Sequence, residues 1–156
     1  HCAGTAVALQ LINILEEKGV NVSGYITGGF IPPEKPSENN GWNEIPKWSI
    51  QRKLIKAGAP IGKLSNERKY EIVEKFRKDT DFMTEYFYKY AMPISAKTSV
   101  IISKTDIFTK NYADAEKLWR KLAFNFDKVH YIDTNSHYFQ TEKSEEVARF
   151  IVDALK

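Results

Sequence analysis

Apolar residues recur at helical spacing over residues 3–18 and predict a helix that begins almost at the first residue of the sequence. The positions that mark the repeat are Val7, Leu11, Ile14 and Leu15. Alanines make the other faces apolar too, which is typical of a helix buried on more than one side. A short apolar run at 20–27 then predicts a strand. A helix, a tight loop and a strand in this order form the second half of a βαβ unit.

The middle of the chain has helical patterns but no strand alternation. Residues 31–42 are rich in proline, asparagine and glycine, which interrupt regular structure. Three helices are predicted beyond them, at 48–56, 66–78 and 81–90. These residues are unusually aromatic, and their side chains suit either packing or contact with an apolar substrate. We therefore predict a helical insertion at about 38–93, here named the lid segment, that lies outside the sheet.

Strand patterns return after the lid segment. Residues 98–103 are a β-branched run typical of a buried strand, and residues 129–132 predict another. Helices are predicted after these strands, at 113–122 and 144–155. Because strands alternate with helices, the sequence predicts an α/β domain with a mainly parallel sheet and right-handed crossovers.

Composition excludes some classes of protein without defining one. A length of 156 residues suits a single domain. The net charge of +3 comes from 23 basic and 20 acidic residues that are interleaved, so we expect no nucleic-acid partner. No apolar run approaches the roughly 18 residues of a membrane span, so we expect no membrane and a cytoplasmic setting. The single cysteine allows no internal disulfide, and the three scattered histidines predict no metal site.

Three residues capable of catalysis lie at the ends of predicted elements. Cys2 precedes the first helix, and Asp106 and His137 each follow a strand. Functional groups gather at the carboxyl ends of parallel strands, so these residues suit a nucleophile, an acid and a base. Two alternatives remain open. A lone cysteine before a helix is most often a small buried hydrophobe, and Asp133 is either a second candidate for the acid or a cap for its own turn.

The start of the chain, His1-Cys2-Ala3-Gly4, resembles the second to fifth residues of the G-x-S-x-G nucleophile elbow, with cysteine in place of serine. That elbow is a strained turn from a strand into a helix, and it exposes the nucleophile at the helix N-terminus. The small side chains of Ala3 and Gly4 allow the helix and strand to approach closely. The helix dipole helps to hold a thiolate or a developing oxyanion. The order nucleophile, acid, base is also the order of this fold.

Further motifs extend the likeness over essentially the whole chain. They are Leu15-Glu16-Glu17-Lys18-Gly19, Phe76-Arg77-Lys78-Asp79, Tyr112 with Trp119, and Ser136-His137-Tyr138-Phe139. With the elbow, the chain resembles the thioesterases of nonribosomal peptide and polyketide synthesis. The resemblance implies an α/β-hydrolase fold, mainly a parallel sheet with flanking helices and a helical lid. Residues 1–156 would be the C-terminal portion of a single thioesterase domain, with further strands expected before His1.

The resemblance also implies the site and the reaction. Cys2 would be the nucleophile, Asp106 the acid and His137 the base, with the Ala3 backbone N–H as one oxyanion donor and a second donor in the missing N-terminal part. Asp106 stands at the acid position found in stand-alone, type II enzymes, whereas the other position known in such enzymes falls near Gly28 and Gly29, without a carboxylate.

The reaction so implied releases an acyl or peptidyl chain from the phosphopantetheine of a carrier protein through an acyl-cysteine, with no bound cofactor. We expect a terminal release domain of a synthetase. The alternatives are a stand-alone type II proofreading thioesterase and, from another class, a catalytically silent scaffold that binds a partner. The acyl group, the choice between hydrolysis, cyclisation and aminolysis, and the oligomeric state are not specified by the sequence.

Overall fold

A computed structural model describes residues 1–36 and 41–156. One parallel sheet contains the strands β1 (Tyr25–Gly28), β2 (Thr98–Ser103) and β3 (Phe126–Ile132), in the order β1-β2-β3. The helices are α1 (Gly4–Glu17), α2 (Lys47–Lys56), α3 (Asn66–Lys89), α4 (Ala115–Trp119), α5 (Phe139–Glu142) and α6 (Ser144–Ala154). Short 3-10 helices occur at Trp42–Glu44 and Tyr112–Asp114. The parallel sheet predicted from the sequence is therefore present.

The central strand β2 is buried at all six positions, as its β-branched sequence predicts. Alternate side chains reach opposite faces of the sheet. Val100 and Ile102 pack into one apolar cluster with α1 and Trp119, whereas Ile101 packs into another with Phe139 and α6. Helices thus cover both faces of β2, which explains why this strand is apolar or hydroxylated throughout.

The outer strands differ in length from the prediction. The predicted strand at 20–27 begins only at Tyr25, because pairing with β2 starts at Tyr25 opposite Thr98. In contrast, β3 begins at Phe126, three residues before the predicted strand at 129–132, since Phe126 also pairs with Thr98. Neither start could be read from hydrophobicity, because each depends on a partner strand.

Helix α1 ends in a Schellman motif, in which the Gly19 amide donates to the Glu16 carbonyl and the Val20 amide to the Leu15 carbonyl. Gly19 has a φ of +75°, which a glycine adopts without steric cost. The buried side of α1 includes Ala6, Leu9 and Ile12.

The face that marked the predicted helix is instead open. Val7 and Leu11 are 57% and 55% exposed, and Ile14 is 38% exposed. The expectation of a helix buried on more than one side is therefore wrong for the part of the chain that the structure describes. Among those residues, the sheet and α3 cover one side only.

The lid segment is helical where the structure describes it, at residues 41–93. Its predicted start at about 38 lies within residues 37–40, outside the described residues. The predicted helices at 66–78 and 81–90 are one helix, α3, so that break in the prediction is wrong. Thr80 is buried within α3, and its hydroxyl donates a hydrogen bond to the Arg77 carbonyl one turn earlier.

A separate apolar cluster joins α2 to α3. Its buried members are Ile50, Leu54, Ala59, Ile61 and Val73. Ser65 caps α3 by accepting a hydrogen bond from the Arg68 amide. The two helices therefore pack as a unit with a small core of their own, and that unit stands beside the loops that follow β2 and β3.

The C-terminal elements follow the predicted order with shifted bounds. The predicted helix at 113–122 is a 3-10 turn followed by the short α4, and the predicted helix at 144–155 ends at Ala154. A one-turn helix, α5, lies where a loop was expected. Among the described residues, no helix combines the length and the apolar character needed to cross a membrane.

Candidate active site

Asp106 and His137 form a buried pair at the carboxyl ends of β2 and β3. The His137 Nδ1–H donates to Asp106 Oδ2 over 2.7 Å, and the two side chains are 4% and 0% exposed. The other carboxylate oxygen, Oδ1, accepts the Phe108 amide at 2.9 Å. Asp133, by contrast, is exposed. The predicted pairing of His137 with Asp106 rather than Asp133 is confirmed.

The environment of His137 favours a charged imidazolium. Burial alone would lower the pKa of His137, but the hydrogen bond with Asp106 and the nearby Cys2 thiol outweigh it and raise the pKa to about 9. A positive charge beside a cysteine favours the thiolate, which is the nucleophilic form. The pair therefore has the electrostatic character needed to activate a thiol.

Cys2 occupies a strained turn immediately before α1, beside the carboxyl end of β1. Its φ is +51°, a left-handed conformation that no other non-glycine residue among the described residues adopts. Its amide donates to the Gly28 carbonyl at 3.0 Å, and its carbonyl accepts the Thr5 amide at 2.9 Å. These bonds fix the turn against the end of β1. The strained turn predicted from the elbow motif is thus present at this position.

Cys2 and His137 face the same cavity, of about 290 Å³. His137 Nε2 is buried and has no hydrogen-bond partner of ordinary geometry among the described residues. The Cys2 thiol nevertheless lies close enough to raise the pKa of His137. The structure therefore brings Cys2 and His137, the predicted nucleophile and base, to one cavity without a Cys2–His137 hydrogen bond of ordinary geometry.

The lid segment supplies the apolar wall of this cavity. Leu54 comes from α2, Ile72 and Phe76 come from α3, and Phe108 adds the loop after β2. Asp79, one helical turn beyond Phe76, is a carboxylate on the same wall. Some aromatic residues of the lid segment therefore line the cavity, whereas Tyr86 and Phe87 belong to the main core.

In the motif Phe76-Arg77-Lys78-Asp79, some side chains line the cavity and another stabilises the fold. Phe76 and Asp79 line the cavity, as described above. Arg77 instead donates hydrogen bonds to the Ile45 carbonyl and to Glu74, which ties α3 to the segment before α2. The side chain of Arg77 is largely buried. The motif therefore both lines the cavity and holds α3, which carries the lining residues, in place.

Ala3 is the residue predicted to supply an oxyanion donor. It is the N-cap of α1, with helical backbone angles. No hydrogen bond from its amide to another described residue is formed, while the amides of Gly4 and Thr5 are used within the turn. The amide is thus able to donate a hydrogen bond to a negatively charged oxygen at the N-terminus of α1. This role stays a prediction.

His1 matches a common residue of the elbow motif, where the resemblance implies support of the turn and no catalytic role. Its Nε2 lies 2.9 Å from the His137 carbonyl oxygen, and the centroids of the two rings are 4.7 Å apart. Gly29 makes room for this ring, since a Cβ there would overlap His1 Nε2. The Gly28-Gly29 pair was the only hint of this contact in the sequence. It could not be interpreted there, because the ring that it accommodates belongs to a residue far away along the chain.

Metal-ligating side chains do not assemble at this cavity or elsewhere in residues 1–36 and 41–156. No group of three or more His, Cys, Asp or Glu side chains in those ranges has the geometry to hold an ion. The chemistry that these residues can supply is that of a thiol, an imidazole and a carboxylate. Such a set suits nucleophilic attack on a carbonyl.

Comparisons with known proteins identify the fold. No protein-family model matches the chain, and no curated protein matches it. Among solved structures, ClbQ from the colibactin NRPS/PKS pathway has a TM-score of 0.71 and 16% identity, over 99% of this chain and 66% of that one. YbtT, a type II thioesterase from the yersiniabactin NRPS/PKS pathway, has a TM-score of 0.73 and 18% identity, over 96% and 60%. Human thioesterase 2 has a TM-score of 0.69 and 14% identity, over 99% and 70%.

These similarities establish an α/β-hydrolase fold. A potato epoxide hydrolase variant is also similar, with a TM-score of 0.54 and 14% identity over 96% of this chain and 66% of that one. One fold therefore accommodates different reactions, and the reaction must be argued from the site. The chain spans about 60–70% of the length of these structures.

Proposed function

We propose that the chain carries the active site of a thioesterase, in which Cys2, His137 and Asp106 transfer an acyl or peptidyl group from a thioester. The observation that carries this proposal is the buried Asp106–His137 pair, which opens onto the same cavity as the strained Cys2 turn. A scaffold that only binds a partner has no need for a buried imidazole nitrogen that lacks a hydrogen-bond partner of ordinary geometry among the described residues, because such a group costs stability.

The reaction follows from the charges at the site. With His137 protonated, the Cys2 thiolate attacks the thioester carbonyl, and the Ala3 amide donates to the oxyanion. Collapse of the tetrahedral intermediate breaks the bond to the carrier thiol, and His137 gives its proton to that sulfur. Water, an amine or a hydroxyl then attacks the acyl-cysteine while His137 accepts the proton. Cleavage of the C–S bond returns the thiolate and completes the cycle.

The cavity supports an acyl chain as the group transferred. Leu54, Ile72, Phe76 and Phe108 offer apolar surface beside the reacting groups. We propose that the thioester is presented on the phosphopantetheine of a carrier protein, because ClbQ and YbtT are described as belonging to NRPS/PKS pathways. No cofactor is bound in this scheme, since the three side chains supply every proton and electron pair.

Two versions of the proposal are equally well supported. The chain is the terminal release domain of a synthetase, or it belongs to a stand-alone type II thioesterase. The second version rests on YbtT and on a further similar structure, BorB from the borrelidin cluster, since both are described as type II thioesterases. BorB has a TM-score of 0.71 and 12% identity over 99% of this chain and 62% of that one.

The test is covalent labelling and turnover of the complete protein with an acyl thioester. We expect an activated-ester probe to label the wild-type protein at Cys2 and to fail with Cys2→Ala. Asp106→Asn should reduce kcat by about a thousandfold or more, because it removes the carboxylate that orients His137. The matched control is Asp133→Asn, an exposed position that should leave kcat unchanged. Equal losses in both Asp variants, or labelling that persists in Cys2→Ala, would overturn the assignment.

A further inference from the structure

The peptide of His137 is held by hydrogen bonds on both sides. Its amide donates to the Ala57 carbonyl at 2.8 Å, at the end of α2. Its carbonyl lies 2.9 Å from His1 Nε2. A carbonyl oxygen only accepts, so His1 must carry its hydrogen on Nε2 and donate. The loop that bears the base is therefore tied to the lid segment on one side and to the nucleophile turn on the other.

Gly28, the last residue of β1, and Gly29 make room for the rings of Phe139 and His1. A Cβ on Gly29 would overlap the His1 ring, and Gly29 also has a φ of +64° that favours glycine. A Cβ on Gly28 would lie 2.8 Å from the Phe139 ring. His1 and Phe139 pack edge to face at 5.3 Å. The sequence Gly28-Gly29 thus admits both the His1 ring and the Phe139 ring at the end of β1.

Cys2 and His1 are consecutive residues, so a bond from His1 to His137 fixes the base relative to the nucleophile. The pair Asp106–His137 sets the direction of the imidazole through Nδ1, but it leaves the distance from Nε2 to the Cys2 sulfur to the loop. That loop is held by the His1 bond. The separation of the two reacting groups hence depends on a side chain whose hydrogen bond goes to a main-chain oxygen.

We propose that His1 is a positioning residue that holds His137 at its working distance from Cys2 through the hydrogen bond from Nε2–H to the His137 carbonyl. This inference rests on the proposed function. His1 takes no part in proton transfer, because its Nε2–H donates a hydrogen bond to the main-chain oxygen of His137. Loss of that donor allows the His137 loop to move away from the nucleophile turn, and small displacements of reacting groups reduce rates steeply.

The experiment separates the donor from the ring with two variants of the complete protein. His1→Phe keeps a ring between Gly29 and His137 but removes the N–H. His1→Gln removes the ring and keeps an N–H near the position of Nε2. We expect His1→Phe to lower kcat by about 10- to 100-fold with KM little changed, and His1→Gln to recover most of kcat. If His1→Phe does not fold, His1→Asn, whose amide is too short to reach the carbonyl, replaces it.

A second measurement does not depend on turnover. The rate at which iodoacetamide alkylates Cys2 is followed against pH in the wild type and in each variant. We expect His1→Phe to shift this profile toward that of a free cysteine, because His137 no longer stabilises the thiolate. His1→Gln should keep the wild-type profile. If the wild type turns over no thioester, the proposed function fails while this profile still decides the role of His1.

The matched control is His130→Phe. His130 is a half-buried histidine of β3 whose Nε2 contacts Glu146 and whose ring stacks on Phe150. The same substitution there removes an N–H and keeps a ring, so kcat and the alkylation profile should stay as in the wild type. Equal kinetics for His1→Phe and wild type would overturn the inference. So would equal losses in His1→Phe and His1→Gln, because the ring rather than the donor would then matter.

Discussion

The charge on His137 connects the candidate site to the stability of the fold. Burial opposes that charge, yet the contacts with Asp106 and Cys2 raise the pKa from 6.5 to about 9. A group whose pKa is raised on folding stabilises the folded state in its protonated form. That contribution is fully present below pH 6.5 and is lost as the pH rises through about 9.

We therefore expect the Tm of the complete protein to fall as the pH is raised from 6.5 to above 9, beyond the change caused by other groups. In Asp106→Asn the carboxylate that holds the proton on His137 is gone, so the dependence should be weaker. Thermal unfolding of both proteins over a pH series measures the difference. Parallel Tm curves for the wild type and Asp106→Asn would show that the His137 charge does not stabilise the fold.

The use of sulfur at residue 2 has a consequence for the product. An acyl-cysteine is itself a thioester, so acylation of Cys2 in the proposed reaction would keep the acyl group activated for the second step. Thioesters also react with amines, relative to water, more readily than oxygen esters do. We expect Cys2→Ser to shift the products of one thioester substrate from amide or ring toward free acid. Product analysis measures this, and identical ratios for both proteins would remove any role of the thiol in the choice.

A site residue could be predicted when the sequence next to it shows where it lies in the fold. Cys2, Asp106 and His137 each adjoin the end of a helix or strand, so the topology alone placed them at one edge of the sheet. Distance along the chain was a poor guide, because Asp133 is closer to His137 in sequence but is exposed. His1 could not be assigned, since its partner is 136 residues away.

Among the helices and strands, the bounds that were predicted correctly are those of the fully buried strand. The bounds of β2 match the prediction because every one of its side chains is buried and its sequence carries the whole signal. The continuity of α3 was missed, although its buried side chains lie on both sides of the predicted break, with Val73 before it and Tyr86 after it. The starts of β1 and β3 depended on a partner strand. Patterns of single residues do not contain that information.

The turn after α2 connects the lid segment to the loop that bears His137. Gly58 has a φ of +90°, and a Cβ there would overlap the Ser136 side chain, which is buried. The preceding residue, Ala57, accepts the His137 amide. A change at Gly58 should consequently disturb both the turn and the loop that bears His137.

We expect Gly58→Ala to lower the free energy of unfolding by about 1–3 kcal/mol, the usual cost of a strained backbone position, and to reduce kcat as well. The matched control is Gly62→Ala in the same loop, where a Cβ meets nothing within 4 Å. Chemical denaturation and steady-state kinetics on the two variants check both effects. Equal stability and kcat in Gly58→Ala and Gly62→Ala would contradict the coupling.

At the scale of the whole molecule, three parallel strands and their helices were predictable because strands alternate with helices in the sequence. The surface that they leave open was not. Val7, Leu11 and Ile14 form an apolar strip on the outside of α1. On the side of β1 away from β2, no strand of the described residues pairs with it. Both features are unfavourable on a free surface, because open strand edges and apolar patches promote association.

These two features predict how residues 1–156 behave when expressed alone. We expect them to self-associate or to unfold without a sharp transition, because the strip and the free edge meet water. Val7→Lys with Leu11→Lys should make this chain more soluble. In the complete protein the same double variant should lower Tm if further strands cover the strip, as we propose from the length of the similar structures.

The control is Phe124→Lys, since Phe124 is 78% exposed and is not part of α1. This variant should leave the Tm of the complete protein unchanged. Sedimentation and calorimetry of residues 1–156 provide the decisive measurement. A monomer with one cooperative unfolding transition would show that the three strands and their helices need no further cover. The open strip on α1 would then be an ordinary surface of an independent domain.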